Sequence, residues 1–235
     1  KSKLSAPAQR LLDQAFNGIK LNCLSDFHVH AVATDSHQSG AYINPEMLSL
    51  LHPWKHLQFL VYSSASGIKN LKNANQEYLD RLLALASADK RYGKLHLLAF
   101  DYHYNSDGTR NLENSTFHIP NKYVFDIAQK YPELITAVIS VHPDKPGAAS
   151  EIEKWGQKGV KFIKWLPNAQ RIDPSLIKHF AYYQMVKKYD MAILSHTGHE
   201  KAVDGEDYQE LANPLNFKYP LDLGVKIIMA HLASL

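Results

Sequence analysis

The sequence predicts an α/β fold, with one parallel β-sheet and helices packed over it. Three observations carry that expectation. Six short apolar runs rich in Val, Ile and Phe lie at residues 24–30, 97–102, 135–142, 160–166, 191–197 and 225–231. They are hydrophobic on both faces, as strands covered by helices on both sides must be. Between most of them lie segments with apolar residues at helical spacing, the alternation that builds βαβ units. Finally, the chain of 235 residues is 45% hydrophobic and 21% charged, enough apolar mass for one sizeable core. That length is within reach of a single α/β barrel.

In chain order, the first run, "LSDFHVH", is followed by a long insertion at about 31–94. Within it, "HLQFLVYSSA" (56–65) has the β-branched and aromatic content of a strand. Its surroundings read as helical turns around Pro53, and a helix is the favoured assignment. "EYLDRLLALASADK" (77–90) is amphipathic at helical spacing. After the second strand, "NKYVFDIAQKYPE" (121–133) opens on Asn121 as a cap, and "GAASEIEKWGQKG" (147–159) runs from glycine to glycine. "DPSLIKHFAYYQMVKKYD" (173–190) opens on Asp then Pro, a helix start signal. Gly and Pro are spread evenly, without repeats or low-complexity tracts. Residues 1–235 therefore read as one domain, with 31–94 as a helical insertion able to act as a lid.

Charge and cysteine content narrow the function. The net charge is only +3, and no basic run or basic-aromatic cluster stands out, so nucleic acid is not an expected partner. No apolar stretch approaches the roughly 20 residues of a membrane span, and no membrane association is expected. The first residues lack the apolar core of a signal peptide, which favours the cytoplasm. The single cysteine, Cys23, leaves no intrachain disulfide and no Cys-based zinc site, and reads as a small core residue. The expected partner is a small-molecule substrate; a homodimer is left open.

The chemistry lies in what ends each strand. The six runs close on "FHVH", "FDYHY", "SVHP", "FIKWLP", "ILSHTG" and "IMAHL". A chain with 13 histidines contains roughly one His-x-His by chance, so the first motif alone proves little. The recurrence is the signal. In a (β/α)₈ TIM barrel the C-terminal strand ends converge on one rim, where active sites sit. Residues i and i+2 of a strand share a face about 6.6 Å apart, so His28 and His30 can grip one ion. His196 and His231 arrive at the same rim from later strands. Together they form a candidate site for one or two divalent metals, zinc foremost. Asp26 is placed one pleat deeper, to orient a ligand. Each single histidine could equally be a core residue bonded to backbone.

Lys164 ends the fourth strand. A buried lysine near cations has a lowered pKa, and its neutral amine can add carbon dioxide to form an anionic carbamate able to bridge two metals. Pairing with a carboxylate, or binding substrate as a cation, are its alternatives. Lys161 lies on the opposite face. His103 and His142 are candidates to contact a substrate oxygen, with Asp101 and Glu200 as weaker polar contacts; loop capping or solvation competes for all four.

"DFHVH", Lys164, His196 and His231, with "VKFIKWLPNAQRIDP", "SHTGHE" and "MAHLASL", resemble the metal-dependent amidohydrolase superfamily. The resemblance is in particular to its TIM-barrel, amidohydrolase-related branch, and runs from about residue 22 onward. It implies that the histidines bind metal, that Lys164 is N6-carboxylysine between two ions, and that a metal-activated water hydrolyses an amide, ester, lactone or other C–N or C–O bond. Lys164, His196 and His231 are the catalytic residues it implies. The family also carries an Asp on the eighth strand as metal ligand and general base. The sequence ends at Leu235, just past the sixth strand, so that Asp is expected beyond Leu235 and the chain is expected to hold the first six βα units. The alternatives are a metal-dependent decarboxylase of a small carboxylic acid and a non-catalytic metal-binding barrel.

Overall fold

Six parallel strands hydrogen-bond side by side in sequence order: β1 (Ser25–His30), β2 (Lys94–Leu98), β3 (Ile135–Ile139), β4 (Phe162–Trp165), β5 (Ala192–His196) and β6 (Lys226–Ala230). This computed structural model describes residues 4–20, 23–34, 39–88, 93–200, 203 and 206–231. All six apolar runs of the sequence become strands, in the expected order. The second sits earlier than expected, since its run of apolar residues continues beyond Leu98 into an extended segment where Phe100 bridges Ile119.

Helices cover the outer face. Helix α1 (Ala6–Ala15) precedes β1, and α2 (Pro45–Leu48), α3 (Pro53–Ala65) and α4 (Ala74–Ala88) lie between β1 and β2. The disputed stretch 56–65 is helical, as favoured. Residues 89–90 of the expected 77–90 helix lie outside the described residues. Helix α5 (Asn121–Lys130) follows β2, α6 (Ala148–Gln157) follows β3, and α7 (Pro167–Gln170) and α8 (Phe180–Lys188) lie between β4 and β5. Helix α9 (Lys218–Asp222) precedes β6. Helix α6 does lie between Gly147, its N-cap, and Gly159, both with left-handed backbone at φ 75° and 81°. Asn121 is not a cap. It is the first helical residue, and its side chain exchanges two hydrogen bonds with the backbone of Ser140, tying α5 to the end of β3.

The pleat sorts residues between two cores. Outward-facing Leu95, Leu97, Ile135 and Ala137 pack under α4 and α5. Ile139, Ile163, Trp165 and Ile193 pack under α6 and α8. The inward-facing residues form layers. Phe27, His96 and Phe162 stack at the bottom, with the Phe27 and His96 rings 3.9 Å apart and the Phe27 and Phe162 rings 5.5 Å apart. Leu98, Val138 and Leu194 pack together as a small inner cluster. Lys164 and His196 are two residues beyond Phe162 and Leu194, so alternation sets them on the same inner face, closer to the strand ends.

The outermost strands differ from the middle four. β2 to β5 are buried along most of their length, whereas β1 is largely exposed and β6 is half-buried to exposed throughout. A cleft of about 640 Å³ lies between them, lined by Phe16, Phe27, His28, Ile228, Met229 and His231 among others. Cys23 is exposed, contrary to the expectation of a core thiol. It precedes an outermost strand whose first three residues are themselves exposed. Among the described residues, no helix is long and apolar enough to cross a membrane.

Candidate functional site

Two backbone irregularities shape the strand ends. The β1–β2 register pairs Asp26 with Leu95 and Val29 with Leu97, so two residues of β1 stand opposite one of β2. The bulge re-aims the strand, as bulges next to binding sites commonly do. It also decides what Asp26 does. Its carboxylate accepts a hydrogen bond from the His28 backbone N–H at 2.9 Å, holding the bulge rather than an imidazole ring. The second irregularity is His231, directly after β6, with a left-handed φ of 64°. Non-glycine residues rarely adopt that conformation without a compensating reason.

With those bends in place, the four histidines meet. The ring centres of His28 and His30 lie 4.8 Å apart, those of His28 and His231 4.7 Å, and those of His196 and His231 4.8 Å. β1 and β6 are the two ends of the sheet order, so the sheet curls far enough to bring its outermost strands into side-chain contact at this rim. Lys164 belongs to the same group. It is 1% exposed, and among the described residues its ammonium nitrogen has no hydrogen-bond partner. The backbone around it is fixed by Ser140 Oγ, which donates to the Lys164 carbonyl at 2.8 Å, and by Trp165 Nε1, which donates to the Val141 carbonyl at 3.1 Å.

The electrostatics follow from burial. Desolvation, then the Lys164 charge and the neighbouring imidazoles, push His28 down to about 3. The same causes bring His30 down to about 4. His196 is lowered by desolvation, although the Glu200 carboxylate, 3.6 Å from its Nδ1, works against that. Desolvation lowers Lys164 to about 8, with Glu200 opposing. Three of the imidazoles are therefore neutral at pH 7 and keep a lone pair for a ligand. The rings pack as tilted neighbours. Among the described residues, no group of three or more His, Cys, Asp or Glu is arranged to hold a metal ion as it stands.

The remaining residues expected at the site are placed differently. His142 is fully buried; its Nε2 donates to the Gln170 carbonyl at 2.7 Å and its Nδ1 accepts from the Asp144 N–H at 3.0 Å. Both ring nitrogens are thus committed to backbone. Asp101, 1% exposed, accepts from the N–H groups of Tyr102 and His142 and lies 3.5 Å from Lys145 Nζ. Burial raises its pKa, with Lys145 opposing. His103 is buried, with Nδ1 on the Ala169 carbonyl at 3.1 Å. These three join the wall behind the strand ends. Lys161 is exposed and donates to the Tyr189 carbonyl, on the outer face as expected. Glu200 does reach the rim, against His196.

Two features had no signal in the sequence. His118 stacks on Tyr102 at 4.0 Å beside Asp101, brought there by a two-residue ribbon in which Phe117–His118 pairs with Tyr42–Ile43. An apolar cavity also adjoins His30, roofed by the insertion. Both depend on how residues 39–68 fold back over β2, which no local pattern encodes.

No family model matches the sequence, and no curated protein matches it. Among solved structures, the chain is similar to an uncharacterized TIM-barrel protein from Bordetella bronchiseptica. The two share 13% identity at a TM-score of 0.51, over 88% of this chain and 66% of that one. At that identity the likeness speaks for the fold alone. The fold is α/β and TIM-barrel-like, with six parallel strands, and the chain spans about two thirds of the length of that protein. The comparison gives no support to membership of the amidohydrolase superfamily.

Proposed function

We propose that this chain is a metal-dependent hydrolase of small molecules, acting on an amide, ester, lactone or other C–N or C–O bond at the histidine rim. One observation carries the reading: four imidazoles from three strands converge beside a buried lysine amine that has no hydrogen-bond partner among the described residues. An unpartnered ammonium next to clustered histidines is a costly arrangement for a core, and perturbed groups of this kind gather at functional sites. The donor chemistry fits a divalent cation. His28, His30, His196 and His231 would hold one or two ions, with zinc suited to imidazole ligands. Lys164 would join them as N6-carboxylysine: its neutral amine forms a C–N bond to carbon dioxide, the amine proton leaves to solvent, and a carboxylate results. When bound, a divalent cation supplies Lewis acidity and lowers the pKa of water from about 16 to near 7.

The chain's own groups supply the rest. Glu200 lines the same cavity as His30 and lies beside His196, where its carboxylate can hold a proton or steady that ring. The hydrogen bonds of Ser140 and Trp165 between the ends of β3 and β4 hold the backbone that carries Lys164.

The test begins with zinc titration by calorimetry on chelator-treated protein, with His28→Ala and His196→Ala alongside. Saturable binding of one or two ions is expected, weakened at least tenfold in each variant. A panel of p-nitrophenyl esters, lactones and anilides then reads hydrolysis, which chelator should abolish and zinc restore. Absence of zinc binding refutes the proposal. Zinc-dependent release of carbon dioxide from small carboxylic acids, without hydrolysis, would select the decarboxylase instead.

A further inference from the structure

A cavity of about 360 Å³ opens beside His30 and Glu200, between the ends of β1 and β2 and the insertion. Its walls are Ile43, Met47, Phe59, Phe100, Phe117 and Leu166, floored by the small residues 31–34. The Phe100 and Phe117 rings pack 4.7 Å apart as one face. Among the described lining residues, the ionisable side chains besides Tyr62 are His30 and Glu200, both belonging to the rim. The lining is thus mainly apolar, carries the hydroxyls of Thr34, Tyr62, Ser63 and Ser66, and meets the histidine rim through His30 and Glu200, the pattern of a pocket that orients an amphipathic ligand.

The cavity is also held open from outside. Tyr123 donates to the Val32 carbonyl at 3.0 Å, Asn75 Oδ1 accepts from the Thr34 N–H at 2.8 Å, and Tyr78 donates to the His30 carbonyl. Asn44 donates to the Glu113 and Ser115 carbonyls at 3.0 and 3.2 Å, and His56 Nδ1 meets the Met47 carbonyl at 3.1 Å. Floor and roof are therefore fixed by hydrogen bonds that do not involve a ligand, which lowers the ordering cost of binding.

We infer that this cavity receives an uncharged apolar group of the substrate, an aromatic ring system or alkyl chain, and leaves its polar reacting group at His30 and Glu200. The inference rests on the hydrolase reading for the fate of the reacting group, not for the binding of the apolar one. At the roughly 30 Å³ that a water occupies in the liquid, the cavity accommodates on the order of a dozen non-hydrogen atoms. Specificity for that group then lies in the insertion, through α2 and α3.

The test uses the whole chain and a neutral probe, 2-acetylnaphthalene, titrated by saturation-transfer NMR with and without zinc. Ser63, on α3, lines the cavity. Ser63→Phe fills space; Ser63→Ala removes only the hydroxyl. Saturable probe binding is expected, weakened at least tenfold by Ser63→Phe and less than twofold by Ser63→Ala, with zinc affinity unchanged in both. The parent should prefer p-nitrophenyl hexanoate to the acetate by at least tenfold in kcat/KM, and Ser63→Phe should erase the preference. Non-saturable binding, or equal affinity in Ser63→Phe with its fold intact by circular dichroism, overturns the inference. Equal kcat/KM for the two esters in the parent overturns it as well. Probe binding that follows the expected pattern without any ester cleavage supports the apolar site and counts against the hydrolase reading alone.

Discussion

Lys164→Met tests the central feature of the site without any substrate. Lys164 is 1% exposed, has no hydrogen-bond partner among the described residues, and has its pKa lowered from 10.5 to about 8 by desolvation. At pH 7 the ammonium is charged in both the folded and the unfolded chain, so the whole desolvation cost weighs on the folded state. At about 1.4 kcal/mol per pKa unit, the shift corresponds to about 3 kcal/mol. Methionine has a similar length and no charge, so the variant should be more stable by about 2–3 kcal/mol, allowing for imperfect packing. For a chain of this size that is a rise in melting temperature of roughly 5–10 °C. The assay is urea and thermal unfolding of chelator-treated parent and variant at pH 7. On the proposed hydrolase reading, the same variant should also lose zinc-dependent hydrolysis, a trade of stability for function. A variant less stable than the parent would refute the reasoning, since it would mean that the ammonium has a compensating partner.

Three further outcomes follow from the buried charges and the core. Asp144, 8% exposed at its side chain, is held at about 2; burial raises it, but hydrogen bonds from His179 and Lys178 prevail. Its folded pKa lies below its unfolded value of 3.8, so its stabilisation is complete above about pH 5 and is lost as the pH falls toward 2. Asp144→Asn should therefore cost about 2 kcal/mol at pH 7 and almost nothing at pH 2 in urea unfolding, whereas a pH-independent loss would contradict it. Lys145→Met leaves Asp101 buried without the cation 3.5 Å away and should destabilise by about 3 kcal/mol, with much of the loss recovered in Lys145→Met/Asp101→Asn. Trp165→Ala empties a fully buried site under α8 and should cost about 3–5 kcal/mol; a loss below 1 kcal/mol would mean that the core there is loosely packed.

The sheet was readable because its strands are short, apolar on both faces and separated by helices with their own start and stop signals. The strands pair in sequence order, and each is joined to the next by a crossover that carries at least one helix, as parallel neighbours require. Elsewhere longer-range structure overrides the local pattern. The run 97–102 looks like a strand throughout, but the chain leaves the sheet after Leu98 because Phe100 bridges Ile119 instead. Asn121 has the residue type of a cap, yet the neighbouring Ser140 backbone offers its side chain two partners. Cys23 has the composition of a core residue and lies outside the core because the strand that follows it is outermost in the sheet.

The strand-end rule found the rim residues but could not sort them. His28, His30, His196 and His231 share one pattern with His103 and His142, namely histidine at the end of an apolar run. What separates the two sets is the backbone next to each ring. His142 and His103 stand beside the carbonyls of Gln170 and Ala169, which the short turn of α7 folds back over them. Those rings find their partners within the wall. The four rim histidines face one another instead, and the bulge in β1 and the left-handed turn at His231 aim them there. A left-handed histidine costs of order 1–3 kcal/mol, and an unpartnered lysine about as much again. A core selected for stability alone would shed both, for instance by glycine at 231 and an apolar residue at 164. On the proposed metal-binding reading, a cation bound at the cluster offsets both costs. If so, zinc should raise the melting temperature of the parent well above its effect on His231→Gly, and equal shifts in the two proteins would remove His231 from the site.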